Sequence, residues 1–104
     1  MFDTLVVNGQ TVTESGSVAA NVAIKDGRIA ALLSHAEKQE ASEVIDAAGK
    51  LVLPGGIDAH VHVRTAHSLN ADTIETASVA AAFGGVTSFL CFVAPVRSKG
   101  TGPD

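Results

Sequence analysis

The sequence predicts an α/β chain in two parts, an all-β segment over residues 1–53 and a single β–α–β unit over residues 54–104. Three observations carry this reading. Turn dipeptides cut the first part into short runs of β-forming residues. After Pro54-Gly55-Gly56 the texture changes to strand, Ala-rich helix and strand. The last strand, Val86 to Val93, is a near-continuous apolar run of the kind that parallel sheets bury on both faces.

In the first part Thr4-Leu5-Val6-Val7 runs into Asn8-Gly9, a strong hairpin dipeptide, and Gln10-Thr11-Val12-Thr13 follows. Asn21-Val22-Ala23-Ile24 and Arg28-Ile29-Ala30-Ala31-Leu32-Leu33 flank a second tight turn at Asp26-Gly27. The polar stretch Ser34 to Ser42 reads as a loop or a single helical turn. Val44-Ile45-Asp46 and Leu51-Val52-Leu53 then surround a turn at Ala48-Gly49-Lys50. Six short strands in this span predict a small antiparallel β-unit, part of a sandwich.

In the second part Ile57-Asp58-Ala59-His60-Val61-His62-Val63 alternates apolar and polar residues, the period of a strand. Asn70 or Asp72 is placed to cap the helix that follows, and Asp72 with Glu75 has the spacing of a capping box. The segment Thr73 to Phe83 carries two overlapping apolar stripes, so much of its circumference is expected to be covered by protein. Gly84-Gly85 ends it. Arg97 to Asp104 reads as a loop. Two parallel strands and one apolar helix leave sheet edges and faces uncovered. The pattern is therefore expected to be the N-terminal piece of a longer protein; taken as complete, it would be an inert product or small binding module prone to associate.

Composition narrows the function classes. The chain has 104 residues, 7 Lys+Arg against 11 Asp+Glu, and a net charge of −4. Its cations are scattered, and it has neither Trp nor Tyr, so nucleic acid and anionic membrane are not expected partners. With 46% hydrophobic and 17% charged residues it is too apolar for a disordered chain. The acid at Asp3 and the lack of an apolar core after it speak against a secretory signal. A single cysteine, Cys91, allows no internal disulfide; a cytoplasmic setting is the expectation.

His60 and His62 are the sharpest chemical feature. Residues i and i+2 of a strand share a face, so two imidazoles stand side by side, spaced to share a divalent metal or to be two ordinary half-exposed histidines. Their place at the C-terminal end of a strand that opens a parallel β–α–β unit favours the metal, because α/β barrels put their sites there. Asp58 lies on the same face. Its carboxylate has two readings: a partner for an N–H of a ligating imidazole or of a nearby chain segment, fixing tautomer and orientation, or an acceptor for a strand-end backbone amide. Cys91 reads as a small buried strand residue, with a thiol nucleophile as a remote second reading. His35 falls in the polar connection with no assigned role.

Leu53-Pro54-Gly55-Gly56-Ile57-Asp58-Ala59-His60-Val61-His62 resembles the start of the barrel in the cyclic amidohydrolases, notably dihydropyrimidinases and hydantoinases. Asp26-Gly27-Arg28-Ile29-Ala30 and Val44 to Lys50 resemble that family's small β-domain, and Ala80 to Ser88 resembles its first helix and second barrel strand. The resemblance covers essentially the whole chain. It implies a small β-sandwich portion at 1–53 and, at 54–104, the start of an incomplete (β/α)8 barrel that serves a metal-dependent hydrolase. It further implies two divalent metals, commonly zinc, with His60 and His62 as ligands of the more buried one. The metals would activate water and polarise the ring carbonyl of a cyclic ureide or imide, opening its amide C–N bond.

The other ligands and the catalytic aspartate would come from later strands, so no catalytic residue is expected within this chain. The chain alone is expected to be inactive, and the full-length protein a homo-oligomer, commonly a tetramer. Arg64 gives Asp-X-His-X-His-X-Arg, similar to dihydroorotases, in which such an arginine holds the substrate carboxylate. Here Thr65-Ala66-His67 replaces the Glu-Pro-Gly that follows there, which favours a loop cation instead. His67 is a candidate substrate contact or an exposed loop histidine. Allantoinase and dihydroorotase are the neighbouring alternatives. A non-catalytic dihydropyrimidinase-like assembly protein is the alternative from another class.

Overall fold

The computed structural model describes residues 1–63 and 72–92. The chain divides into two compact units, Met1–Pro54 and Gly55–Asp104.

The first unit is one six-stranded sheet: β1 (Phe2–Val7), β2 (Gln10–Thr13), β3 (Gly16–Lys25), β4 (Arg28–Ser34), β5 (Ala41–Asp46) and β6 (Leu51–Val52). The long strand β3 organises it. One edge of β3 pairs antiparallel with β4, and the other with β1 and β2 in succession. Outside them, β5 and β6 run parallel to β1 and β2. The expected antiparallel unit is thus a mixed sheet. A polar connection returns the chain to the outer edge of β1, where the Phe2 amide donates to the Glu40 carbonyl at 2.9 Å.

Asn8-Gly9 is not the expected hairpin. Val6 faces Val22 while Gln10 faces Ala19, so four steps of β1–β2 stand against three of β3. This is a bulge in one interrupted strand, with Asn8 at φ 64° supplying the bend. The N–H of Asn8 donates to Oδ1 of buried Asn21 at 3.1 Å. The actual hairpin lies further on, at Glu14-Ser15, and extends β3 back to Gly16. Asp26-Gly27 does turn the chain: φ is 51° and 68° at the two central residues, the geometry of a type I′ hairpin between Lys25 and Arg28.

The buried positions cluster on the central strands. Ala20 to Ala23 are four consecutive buried residues, so both faces of β3 are covered there. Leu5 on β1 pairs with the fully buried Ala23. Thr11 is buried as well, and its hydroxyl donates to the Ala20 carbonyl at 2.8 Å, which satisfies both groups.

The second unit contains β7 (Gly56–Val61), α1 (Ile74–Phe83) and β8 (Val86–Cys91), with β7 and β8 paired in parallel. The β–α–β reading holds, with one correction. Asp72 precedes the cap and Asn70 lies outside the described residues; Thr73 is the cap. Its extended backbone (φ −76°, ψ 165°) lets its hydroxyl accept the Thr76 N–H at 3.2 Å, while Thr76 Oγ1 accepts the Thr73 N–H at 3.0 Å. Gly84 closes the helix and Gly85, at φ 80°, redirects the chain into β8.

The helix and the apolar strand are not buried among the described residues, as one helix and two parallel strands by themselves are expected to leave faces uncovered. No residue of α1 is buried; Phe83 is 92% exposed and Leu90 on β8 is 65% exposed. The reason is geometric. Among the described residues α1 lies against β8 alone, which leaves the rest of its circumference uncovered.

Candidate metal site at the end of the first parallel strand

His60 is the penultimate residue of β7 and His62 follows the strand's last residue. The extended backbone turns both side chains to one face, as the i, i+2 spacing requires. Their Nε2 atoms approach to 3.1 Å, and both residues are exposed. As neutral imidazoles they share one hydrogen bond, one Nε2–H donating to the other Nε2.

This geometry fits a shared cation. Two nitrogens each about 2.0–2.1 Å from a tetrahedral zinc stand roughly 3.3 Å apart. The observed separation is close to that. Among the described residues no group of three or more His, Cys, Asp or Glu is gathered where it would enclose a metal. A metal held by this pair would need further donors from outside it.

The Oδ1 of Asp58 accepts the backbone N–H of His60 at 3.0 Å. This closes a local ring two residues along the chain and stiffens the strand end before the first imidazole. Arg64 and His67 lie outside the described residues. Cys91 is a half-buried free thiol on β8, opposite Val61.

One neighbour of the pair was not legible in the sequence. Phe92 follows β8, and its ring lies 4.8 Å from that of His62 with planes 8° apart, and 4.4 Å from that of His60. No motif marks it. Only the parallel register, in which Val61 faces Cys91, brings it to the histidines.

The profile of the Amidohydrolase family matches residues 43–89, a span that holds Asp58, His60 and His62. A D-hydantoinase of Ralstonia pickettii is 45% identical over 96 residues, covering 88% of this chain and 20% of its own length. Over most of its length the chain is similar to cyclic amidohydrolases of the hydantoinase type. A dihydroorotase of Bacillus cytotoxicus is 42% identical over 94 residues, covering 89% of this chain and 22% of its own. Among solved structures, the L-hydantoinase (dihydropyrimidinase) of Arthrobacter aurescens superimposes with a TM-score of 0.77 at 39% identity, over 86% of this chain and 20% of that one. The chain spans about one fifth of the length of the relatives it matches. Among its described residues no helix is long and apolar enough to cross a membrane.

Proposed function

We infer that the full-length protein is a metal-dependent hydrolase that opens the amide C–N bond of a cyclic ureide or imide, of the dihydropyrimidine or hydantoin type. One observation carries this reading: two imidazoles with Nε2 atoms 3.1 Å apart at the end of a parallel strand, inside the span that matches the Amidohydrolase family. In this reading residues 1–53 belong to a small β-sandwich and residues 54–104 open a (β/α)8 barrel. The uncovered apolar residues Phe83 and Leu90 are then faces that later barrel elements cover. A homo-oligomer in the cytoplasm completes it, with a small cyclic molecule as substrate and no nucleic acid or membrane.

His60 and His62 would hold one of two divalent ions, zinc being the expected metal. Bound there, such an ion supplies Lewis acidity, lowering the pKa of water and polarising a carbonyl. The chain's own residues prepare the place. Asp58 fixes the backbone at His60, the strand period sets both rings on one face, and the open side of the pair leaves room for further ligands. Arg64 and His67 follow directly and are candidates for contact with substrate, Arg64 with a carboxylate if the substrate carries one.

A dihydroorotase matching at 42%, close to the 45% of the D-hydantoinase, supports a second reading in which the substrate is dihydroorotate. Allantoin is the third ring of this kind. The test is a direct assay of the purified full-length protein on dihydrouracil, a 5-substituted hydantoin, dihydroorotate and allantoin, before and after chelation and after zinc is restored. Ring opening of dihydrouracil or the hydantoin, lost on chelation and recovered with zinc, is the expected result. Turnover of dihydroorotate or allantoin alone would shift the substrate. No turnover of any ring would favour the non-catalytic assembly protein.

A further inference from the structure

The backbone bond that brings Phe92 to the histidines is specific. In the β7–β8 pair the Phe92 N–H donates to the Val61 carbonyl at 3.0 Å, and Val61 is the residue between His60 and His62. The Phe92 ring is thereby set against both imidazoles, stacked on His62 and tilted by 48° to His60. The two imidazoles are themselves 5.1 Å apart between centroids. Among the described residues these rings make no hydrogen bond except the one to each other and no ring contact except with each other and Phe92.

An exposed histidine samples several rotamers, and bringing two into one geometry costs conformational entropy. A ring packed against both reduces that freedom before any ligand arrives. We propose that Phe92 is a positioning residue for the His60–His62 pair, holding the two imidazoles with their Nε2 atoms turned toward one point and thereby setting the pair's affinity for a divalent metal. The inference rests on reading the two histidines as ligands. Its physical content is that the aromatic face matters, and not apolar volume alone, since flat rings stack against imidazole and branched aliphatic groups do not.

The test uses the full-length protein and three substitutions at this position. Phe92→Leu keeps an apolar side chain, Phe92→Met keeps length as a second non-aromatic variant should the first fold poorly, and Phe92→Tyr keeps the ring. Zinc affinity is measured by competition with a chromophoric chelator, and the exposure of His60 and His62 in the metal-free protein by carbethoxylation rates read from peptide masses. Groups that orient a ligating histidine typically change metal affinity by about 10- to 100-fold. Phe92→Leu and Phe92→Met should weaken zinc binding by about tenfold and speed modification of both histidines, whereas Phe92→Tyr should stay within about twofold of wild type. Unchanged affinity in Phe92→Leu, or an equal loss in Phe92→Tyr, would overturn the proposal. His60→Ala and His62→Ala separate the two levels. If they leave zinc binding intact, the ligand assignment itself fails; if they abolish it while Phe92→Leu does not weaken it, only the positioning role fails.

Discussion

The side-chain amide of Asn8 donates to Asp46 Oδ1 at 3.0 Å, which ties the bulge between β1 and β2 to the turn that follows β5. The same carboxylate oxygen accepts the Ala48 N–H at 3.0 Å. Asn8 also holds a backbone angle, φ 64°, that most side chains disfavour. Asn8→Ala removes the amide and leaves a Cβ in the left-handed region, a strain of about 1 kcal/mol. The denaturation midpoint in urea should fall, and Asn8→Gly, which loses the bond but not the backbone freedom, should fall less. Equal midpoints for wild type and Asn8→Ala would show that this bulge is held elsewhere.

Asp46 adds a pH-dependent contribution at the acid end of the stability profile. The Asn8 amide, then the Ala48 N–H, hold its carboxyl below the ordinary value of 3.8. A pKa lowered by folding contributes stability that is present above the unfolded value and is lost as pH falls through the folded one. The sheet should therefore lose stability below about pH 3.8, and Asp46→Asn should flatten that part of the pH profile. Thermal melts across pH 2.5 to 6 would read it, and an unchanged slope in Asp46→Asn would remove Asp46 from the account.

Close approach explains Gly9. A Cβ there would come within 2.5 Å of Val52 Cγ2 and 3.1 Å of Ala47 Cβ. Gly9→Ala should destabilise the protein by about 1–3 kcal/mol through overpacking. Val52→Ala removes the closest atom, so the double variant should recover part of that loss. The interaction is read from a double-mutant cycle of urea midpoints, and simple additivity would mean that the backbone moved instead.

Thr73 and Thr76 cap the one described helix reciprocally. Thr73→Ala should cost about 1 kcal/mol of local stability. Hydrogen exchange should show it as faster exchange at Thr76 and Ala77, whose N–H groups bond to Thr73 Oγ1 and the Thr73 carbonyl. Exchange that stays at the wild-type rate would assign the cap to another residue.

At the site, His60→Ala and His62→Ala should each lower bound zinc and ring-opening activity by more than about 100-fold, since even groups that only orient a ligand account for 10- to 100-fold. Metal content by mass spectrometry of the dialysed protein separates loss of the ion from loss of the fold. Full zinc content in both variants would place the ligands elsewhere.

What could be read without coordinates was local. The period-two alternation set His60 and His62 on one face, because neighbouring side chains of an extended chain point to opposite sides whatever lies beside them. Asp26-Gly27 made its hairpin because positive φ at two adjacent positions is a property of those two residues. The likeness to the amidohydrolases was legible for a similar reason, since it resides in a contiguous run of residues around the histidines.

Pairing decided the rest. Asn8-Gly9 has the same turn chemistry as Asp26-Gly27, yet it became a bulge because β3 extends far enough to pair with both flanking strands. The bond from the His60 amide to Asp58 Oδ1 likewise depends on the backbone conformation at the strand end. Phe92 stands about thirty residues from the histidines along the chain, and no spacing rule connects them. Its place against both imidazoles follows from one hydrogen bond, Phe92 N–H to Val61 carbonyl, which exists only once two parallel strands have chosen their register.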